Sequence, residues 1–218
     1  MNRDIVLKSQ DYYARARSEM AVFIPGHCGT ILDVGCGEGN FGRVVKERLP
    51  NVQIHGIEKN SGAALRARKN LDKVINQDID RAIPKLSDAF YDCIVFNDLL
   101  EHLADPIDIL IKIRPKMKKD GIILSSIPNV RFLPVVTDLL IHKNWTYGSE
   151  GILDYTHLRF FTEKSIVSLF ESAGYTVSSV TGINKTNFSW RFRLVNFLCR
   201  GMFSDMAFMQ FACVARKK

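Results

Sequence analysis

The densest chemistry in the chain lies in ILDVGCGEGNFG, where Gly35, Gly37 and Gly39 alternate directly after an apolar run. Glycines at this spacing permit a tight turn and let the main chain approach a ligand closely, because no Cβ intervenes. A helical pattern follows at Phe41, Val44, Val45 and Leu49, so the turn opens onto a helix N-terminus with unpaired amides and a positive dipole end. The spacing is G-x-G-x-G, which meets neither the G-x-G-x-x-G dinucleotide fingerprint nor the Walker phosphate loop. Glu58 stands 19 positions after Gly39, at the end of the next apolar run, where its carboxylate suits two ribose hydroxyls. Loop and acid together point to a nucleoside.

Elements that position such a loop are legible on both sides of it. TILDVG, VQIHGIE, KVINQDI, YDCIVFND and GIILSSIP read as strands, with FGRVVKERL, SGAALRARKNL and DPIDILIKIR as helices between them. The alternation implies βαβ units and a parallel sheet, in which ligands bind beyond the carboxyl ends of the strands near the switch in strand order. Asn60 or Ser61 suits the cap of the second helix, Asp105 with Pro106 suits the start of the third, and Gly121 suits the turn into the fifth strand. Farther on, Thr162 and Gly174 bracket a helix that leads into another strand.

With 218 residues, 46% hydrophobic and 24% charged, the chain suits one globular α/β domain. Five cysteines without a C-x-x-C pair argue against a disulfide framework or a zinc ribbon, and no metal-ligand spacing is evident, so we expect metal-independent chemistry in a reducing compartment. The start lacks the apolar core of a signal peptide, and no apolar run is long enough to span a bilayer, so a cytoplasmic protein is expected. The net charge of +7 favours an anionic partner, but the basic residues are scattered and no aromatic RNA-binding box accompanies them, which disfavours nucleic acid.

ILDVGCGEGNFG, followed by IHGIEKN, INQDI and YDCIVFNDLLEHLADP, resembles the class I S-adenosylmethionine-dependent methyltransferases from about Thr30 to the C-terminus. The resemblance implies a Rossmann-like, doubly wound, seven-stranded sheet, mostly parallel with a reversed last strand that AFMQFACVARKK supplies. It also implies S-adenosylmethionine as cofactor and S-adenosylhomocysteine as product. Asp33 with the Gly35, Cys36, Gly37 loop would flank the methionine moiety, Glu58 would bind the ribose, and Lys59 would lie along the adenosine. Asp78 with Ile79 matches the adenine position, and Asn97, with Asp98 and Leu99 beside it, matches the position facing the methionine portion.

Methyl transfer to a hydroxyl calls for alignment and for removal of a proton, a task suited to histidine. His102 follows the fourth strand, and His157 follows a long insertion; both are candidate bases, with His157 preferred. The segment GILDYTHLRFFTEKS around His157 resembles one in bacterial methyltransferases associated with cell-surface polysaccharide biosynthesis. Within a single domain over 1–218, we expect an N-terminal helical cover at 1–28, bearing Tyr12 and Tyr13, and a lid insertion at about 129–161. Asn129, Arg131, His142, Trp145, Tyr147 and Tyr155 are its candidate lining residues. An amphipathic insertion at about 184–206 mixes Arg191, Arg193 and Arg200 with bulky apolar residues, which suits peripheral contact with an anionic membrane or a homodimer interface. The expected activity is transfer to a small-molecule or glycan hydroxyl. An RNA or protein methyltransferase and a noncatalytic cofactor-binding scaffold are the alternatives.

Overall fold

The computed structural model describes residues 13–218. Its strands are β1 (Thr30–Val34), β2 (Gln53–Ile57), β3 (Lys73–Ile75), β4 (Tyr91–Asn97), β5 (Met117–Pro128), β6 (Tyr175–Lys185) and β7 (Phe208–Lys217). They form one sheet in the order β3-β2-β1-β4-β5-β7-β6, and β7 runs antiparallel to both its neighbours while the pairs among the first five strands are parallel. The helices are α1 (Ser18–Ala21), α2 (Asn40–Arg48), α3 (Ser61–Ala67), α4 (Ile79–Ala82), α5 (Pro106–Ile113), α6 (Leu133–Leu140), α7 (Glu163–Ser172) and α8 (Trp190–Leu198). The chain builds outward from β1 to β3 and then returns to place β4 on the other side of β1. That reversal opens a crevice beyond the carboxyl ends of β1 and β4.

Strands buried on both faces carry apolar side chains at successive positions, because helices cover the sheet on either side. Leu32, Val34, Ile94 and Phe96 pack with Leu110, Ile113 and Phe170 in one core. Ile31, Ile54, Cys93 and Val95 pack with Met20, Phe41 and Val45 in the other. The expected caps form: Asn60 accepts from the Ala63 amide, Asp105 accepts from the Asp108 amide, and Thr162 with Ser165 makes a capping box. Three boundaries differ from the sequence pattern. Helix α3 stops at Ala67, β3 spans only Lys73–Ile75 because Asp78 then caps α4, and β5 begins at Met117 rather than Gly121.

The insertion at 129–161 is pinned at its base. Asn129 donates to the Phe208 and Asp205 carbonyls and bridges to Phe161, while Arg131 ion-pairs with Asp205 at 2.5 Å. Of the N-terminal cover, residues 1–12, including Tyr12, lie outside the described residues; the short helix α1 follows an irregular stretch with Arg17 in the left-handed region rather than continuing a helix through Met20.

Candidate active site

The glycine loop leaves β1 and is held from below by β2: the Gly35 and Cys36 amides both donate to the Ile57 carbonyl, at 2.8 and 3.1 Å. Gly37 has φ +52°, and a Cβ there would lie 2.5 Å from the Tyr13 carbonyl oxygen. Any side chain at this position therefore meets main chain on one side and a left-handed backbone penalty on the other. The Tyr13 carbonyl also accepts from the Glu38 amide, and Asn40 donates to the Ala14 carbonyl, so the N-terminal segment lies across the loop as a strap.

Glu58 directly follows β2 and is buried. One oxygen accepts from the Gly37 amide at 3.0 Å and the other from the Asn60 amide at 2.7 Å. A single acid thus ties the loop, the strand end and the start of α3 together. Asp33, fully enclosed, has one carboxylate oxygen without a hydrogen-bond partner; burial, reinforced by the Glu58 charge, pushes its pKa up to about 7.

These residues border a cavity of about 430 Å³ at the switch point, within the range of small-ligand sites. Its wall includes Asp33, Gly35, Cys36, Gly37, Glu58, Lys59, Asp78, Ile79, Asn97, Asp98 and Leu99, which the glycine spacing and the resemblance to class I methyltransferases select. The Asp33 Oδ2, Gln77 Oε1, Asn97 Oδ1 and Asn97 Nδ2 atoms are buried without a hydrogen-bond partner, and all four belong to residues of this wall. Orphaned polar atoms of this kind carry a desolvation cost unless a ligand meets them. Three acceptors and one donor suit a ligand that carries ammonium, hydroxyl and amino groups together with an acceptor of its own.

Asp98 sits just past β4 with φ +47°, a left-handed state uncommon for residues other than glycine, though aspartate adopts it more readily than most. It is held there by Ser126, whose hydroxyl donates to Oδ1 at 2.8 Å, and by Gln210, whose amide donates to the same oxygen at 2.7 Å. Arg17 from the strap ion-pairs with Asp98 and donates to Gln210. Burial lowers the Arg17 pKa, an effect opposed by Glu19. The strap, the end of β4 and the reversed strand β7 therefore meet at one carboxylate.

Both candidate histidines lie at one end of the cavity, but only His102 is on its wall. Its Nδ1 faces the Thr156 carbonyl and hydroxyl oxygens at 3.2 and 3.0 Å, and Thr156 also lines the cavity. His157 is buried behind it, with the ring centroids 4.6 Å apart, and its Nδ1 donates to the Ile152 carbonyl at 2.8 Å. Glu101, 1% exposed, lies beside both; the His157 Nε2 is 3.9 Å from its carboxylate. Burial pushes the Glu101 pKa up to about 8. The amides of Leu158 and Arg159 donate to the Glu101 carbonyl, which docks the THLRFF segment onto the turn after β4.

Gly39 lies off the cavity wall; it opens α2 at φ +75° with Leu71 and Ala67 against it. The six expected lid residues are absent from the described cavity wall too. Asn129 and Arg131 brace the insertion, His142 pairs with Asp138, Trp145 packs edge-on against Phe160, and Tyr147 stacks on Tyr155. Sequence reasoning missed Arg17, Gln77 and Thr156 on the wall, and Gln210 behind it. Gln77 adjoins Asp78 and was open to discovery by that adjacency; Arg17 and Gln210 carry no local pattern, since tertiary packing alone brings them to Asp98. Cys36 is a wall residue whose thiol burial pushes far above its ordinary pKa, which does not suit a nucleophile.

Residues 8–180 match a family described as a methyltransferase domain. Over 125 residues the chain is 26% identical to a trans-aconitate 2-methyltransferase of Azoarcus sp. strain BH72, covering 56% of this chain and 48% of the relative. Over 180 residues it is 23% identical to a probable S-adenosylmethionine-dependent methyltransferase of Mycolicibacterium smegmatis, covering 81% and 64%. It therefore spans less than two thirds of the length of either relative. The crystal structure of a SAM-dependent methyltransferase from Archaeoglobus fulgidus superimposes with a TM-score of 0.66 at 20% identity, covering 96% of this chain and 95% of that one, a likeness of fold.

Proposed function

The chain belongs to the methyltransferase domain family, with S-adenosylmethionine as its cofactor, and from that premise we propose that it methylates a hydroxyl of a small molecule or glycan. The observation that supports the donor-binding part of the reading is the set of buried, partnerless atoms on Asp33, Gln77 and Asn97 around one cavity, and His102 on the same wall supports the hydroxyl acceptor. Glu58 would hold the ribose, Asp78 and Ile79 the adenine, and Lys59 the adenosine flank. Asp33, the Gly35–Gly37 loop and Asn97 to Leu99 would hold the methionine portion. When bound, the donor supplies an electrophilic methyl on a sulfonium.

An acceptor hydroxyl carries a proton that must leave, and His102 is the cavity-wall group suited to take it. Its Nδ1–H donates to the Thr156 carbonyl, which assigns the basic lone pair to Nε2. His157 stands behind it as a positioning residue, its ring set by Ile152. Likeness of the THLRFF segment to enzymes of cell-surface polysaccharide biosynthesis favours a glycan acceptor. Labelled donor incubated with fractionated lipid-linked glycans, small hydroxylated metabolites, RNA and protein tests the reading; label entering RNA or protein alone rejects it.

A second proposal concerns residues 184–206. Trp190, Leu194, Phe197 and Leu198 form an exposed apolar stripe on α8, with Arg191, Arg193 and Arg200 exposed around it. Leu140 and Ile141 at the end of α6 are exposed as well, and Phe132 at the start of that helix packs near Phe188. Among the described residues no helix is long and apolar enough to cross a membrane. Apolar side chains ringed by arginines suit a peripheral seat on an anionic lipid surface.

A further inference from the structure

We propose that Glu101, His102 and His157 bind a divalent first-row transition-metal cation beside the cavity wall. No metal-ligand spacing marks them in the sequence; the THLRFF segment folds back onto the turn after β4 and brings them together. One potential ligand atom from each lies within 4.8 Å of the others. Ligands of a four-coordinate Zn²⁺ at about 2.1 Å from the ion stand about 3.4 Å from one another, so modest side-chain rotations close the set.

Three further observations support it. Both Glu101 carboxylate oxygens are buried and lack a hydrogen-bond donor. Burying a carboxylate in that state is costly unless a proton or a cation meets it. The Nδ1 atoms of His102 and His157 each address a main-chain carbonyl, of Thr156 and Ile152, which is the arrangement that fixes imidazole tautomers around a metal and assigns Nε2 as the ligating nitrogen. Two imidazoles and one carboxylate select a transition metal over Mg²⁺ or Ca²⁺, which take oxygen ligands. His102 alone of the three reaches the cavity wall; with the ion bound its Nε2 would be a ligand rather than a base, and the ion's positive charge would take over the task of favouring loss of the acceptor hydroxyl's proton there. Only that last consequence rests on the proposed methyl transfer; binding of the ion does not.

Chelator-treated protein titrated with Zn²⁺ against a chromophoric competitor tests the site, with calorimetric donor binding measured on the same samples. One Zn²⁺ per chain is expected, and Glu101→Gln or His157→Ala should weaken it by about 10- to 100-fold or more. His142→Ala, at an exposed histidine paired with Asp138, should leave it unchanged. Co²⁺ in the unaltered protein should give the visible absorption of a low-coordinate nitrogen and oxygen site, a readout that needs no variant. Absence of stoichiometric Zn²⁺, loss of binding in His142→Ala, or equal affinity in Glu101→Gln overturns the proposal. Lost donor binding in the unaltered protein would instead strike the methyltransferase reading and leave the metal site standing.

Discussion

Asp33→Asn should stabilise the protein and weaken its donor site at the same time. Asp33 is enclosed, has an oxygen without a partner, and carries a pKa raised from 3.8 to about 7 by burial and by Glu58. Because the folded pKa lies above the unfolded one, the folded state binds more protons between these values. Its ionisation therefore costs nothing well below pH 4, costs progressively more as pH rises to 7, and is constant beyond. At about 1.36 kcal/mol per pKa unit the full cost approaches about 4 kcal/mol at pH 8 and about 1.5 kcal/mol at pH 5. An amide has the shape of the protonated acid and no such dependence. The stability gap between variant and parent should thus widen by about 3 kcal/mol from pH 5 to pH 8, or about 6 to 12 °C in Tm for a chain of this size. Urea unfolding followed by circular dichroism at both pH values measures it. An identical gap at the two pH values refutes the buried-charge argument, and unchanged affinity for S-adenosylmethionine removes Asp33 from the donor site.

Glu58→Ala should weaken donor binding by about 0.5 to 3 kcal/mol, since it removes the proposed ribose acceptor and orphans the Gly37 and Asn60 amides; calorimetry showing native affinity sinks the assignment. His102→Ala should slow turnover by about 10² to 10⁴ with donor affinity nearly intact, and near-native turnover with chemistry rate-limiting would leave alignment alone as the mechanism. Arg17→Ala should destabilise the fold by about 1 to 3 kcal/mol by leaving Asp98 without its cation, which denaturant unfolding detects; a neutral result means the strap is held by its main-chain bonds. Binding to anionic vesicles should fade as the screening length falls from about 10 Å at 0.1 M salt to about 3 Å at 1 M, and should be lost when Arg191, Arg193 and Arg200 become Gln. Sedimentation that finds no lipid binding but a dimer in solution assigns the α8 stripe to a second copy of the chain.

The order of the seven strands and of helices α2, α3, α5 and α7 was open to reading from sequence because these elements announce themselves locally, whereas α4 and α6 were not read. Apolar runs of strand length alternate with 3.6-residue patterns, and caps such as Asn60, Asp105 and Thr162 act within three residues of where they stand. Part of the wall of the proposed donor cavity was legible for the same reason: the Gly35–Gly37 loop and Glu58 sit just past strand ends, which a parallel sheet sends to one edge, while Asp33, Asp78 and Asn97 were placed by the resemblance to class I methyltransferases. Gly39 lies outside the cavity wall, where its left-handed turn opens α2. The proposed acceptor side was hidden. His102 and His157 stand 55 positions apart, and which of them faces the cavity depends on how the THLRFF amides dock on the Glu101 carbonyl. Arg17, Asp98 and Gln210 span 193 positions and meet only because a strap from the beginning of the chain crosses the sheet edge beside a strand from its end. Periodicity and caps report contacts between near neighbours along the chain; the groups that must share buried charge come from distant segments, and only packing decides which of them meet.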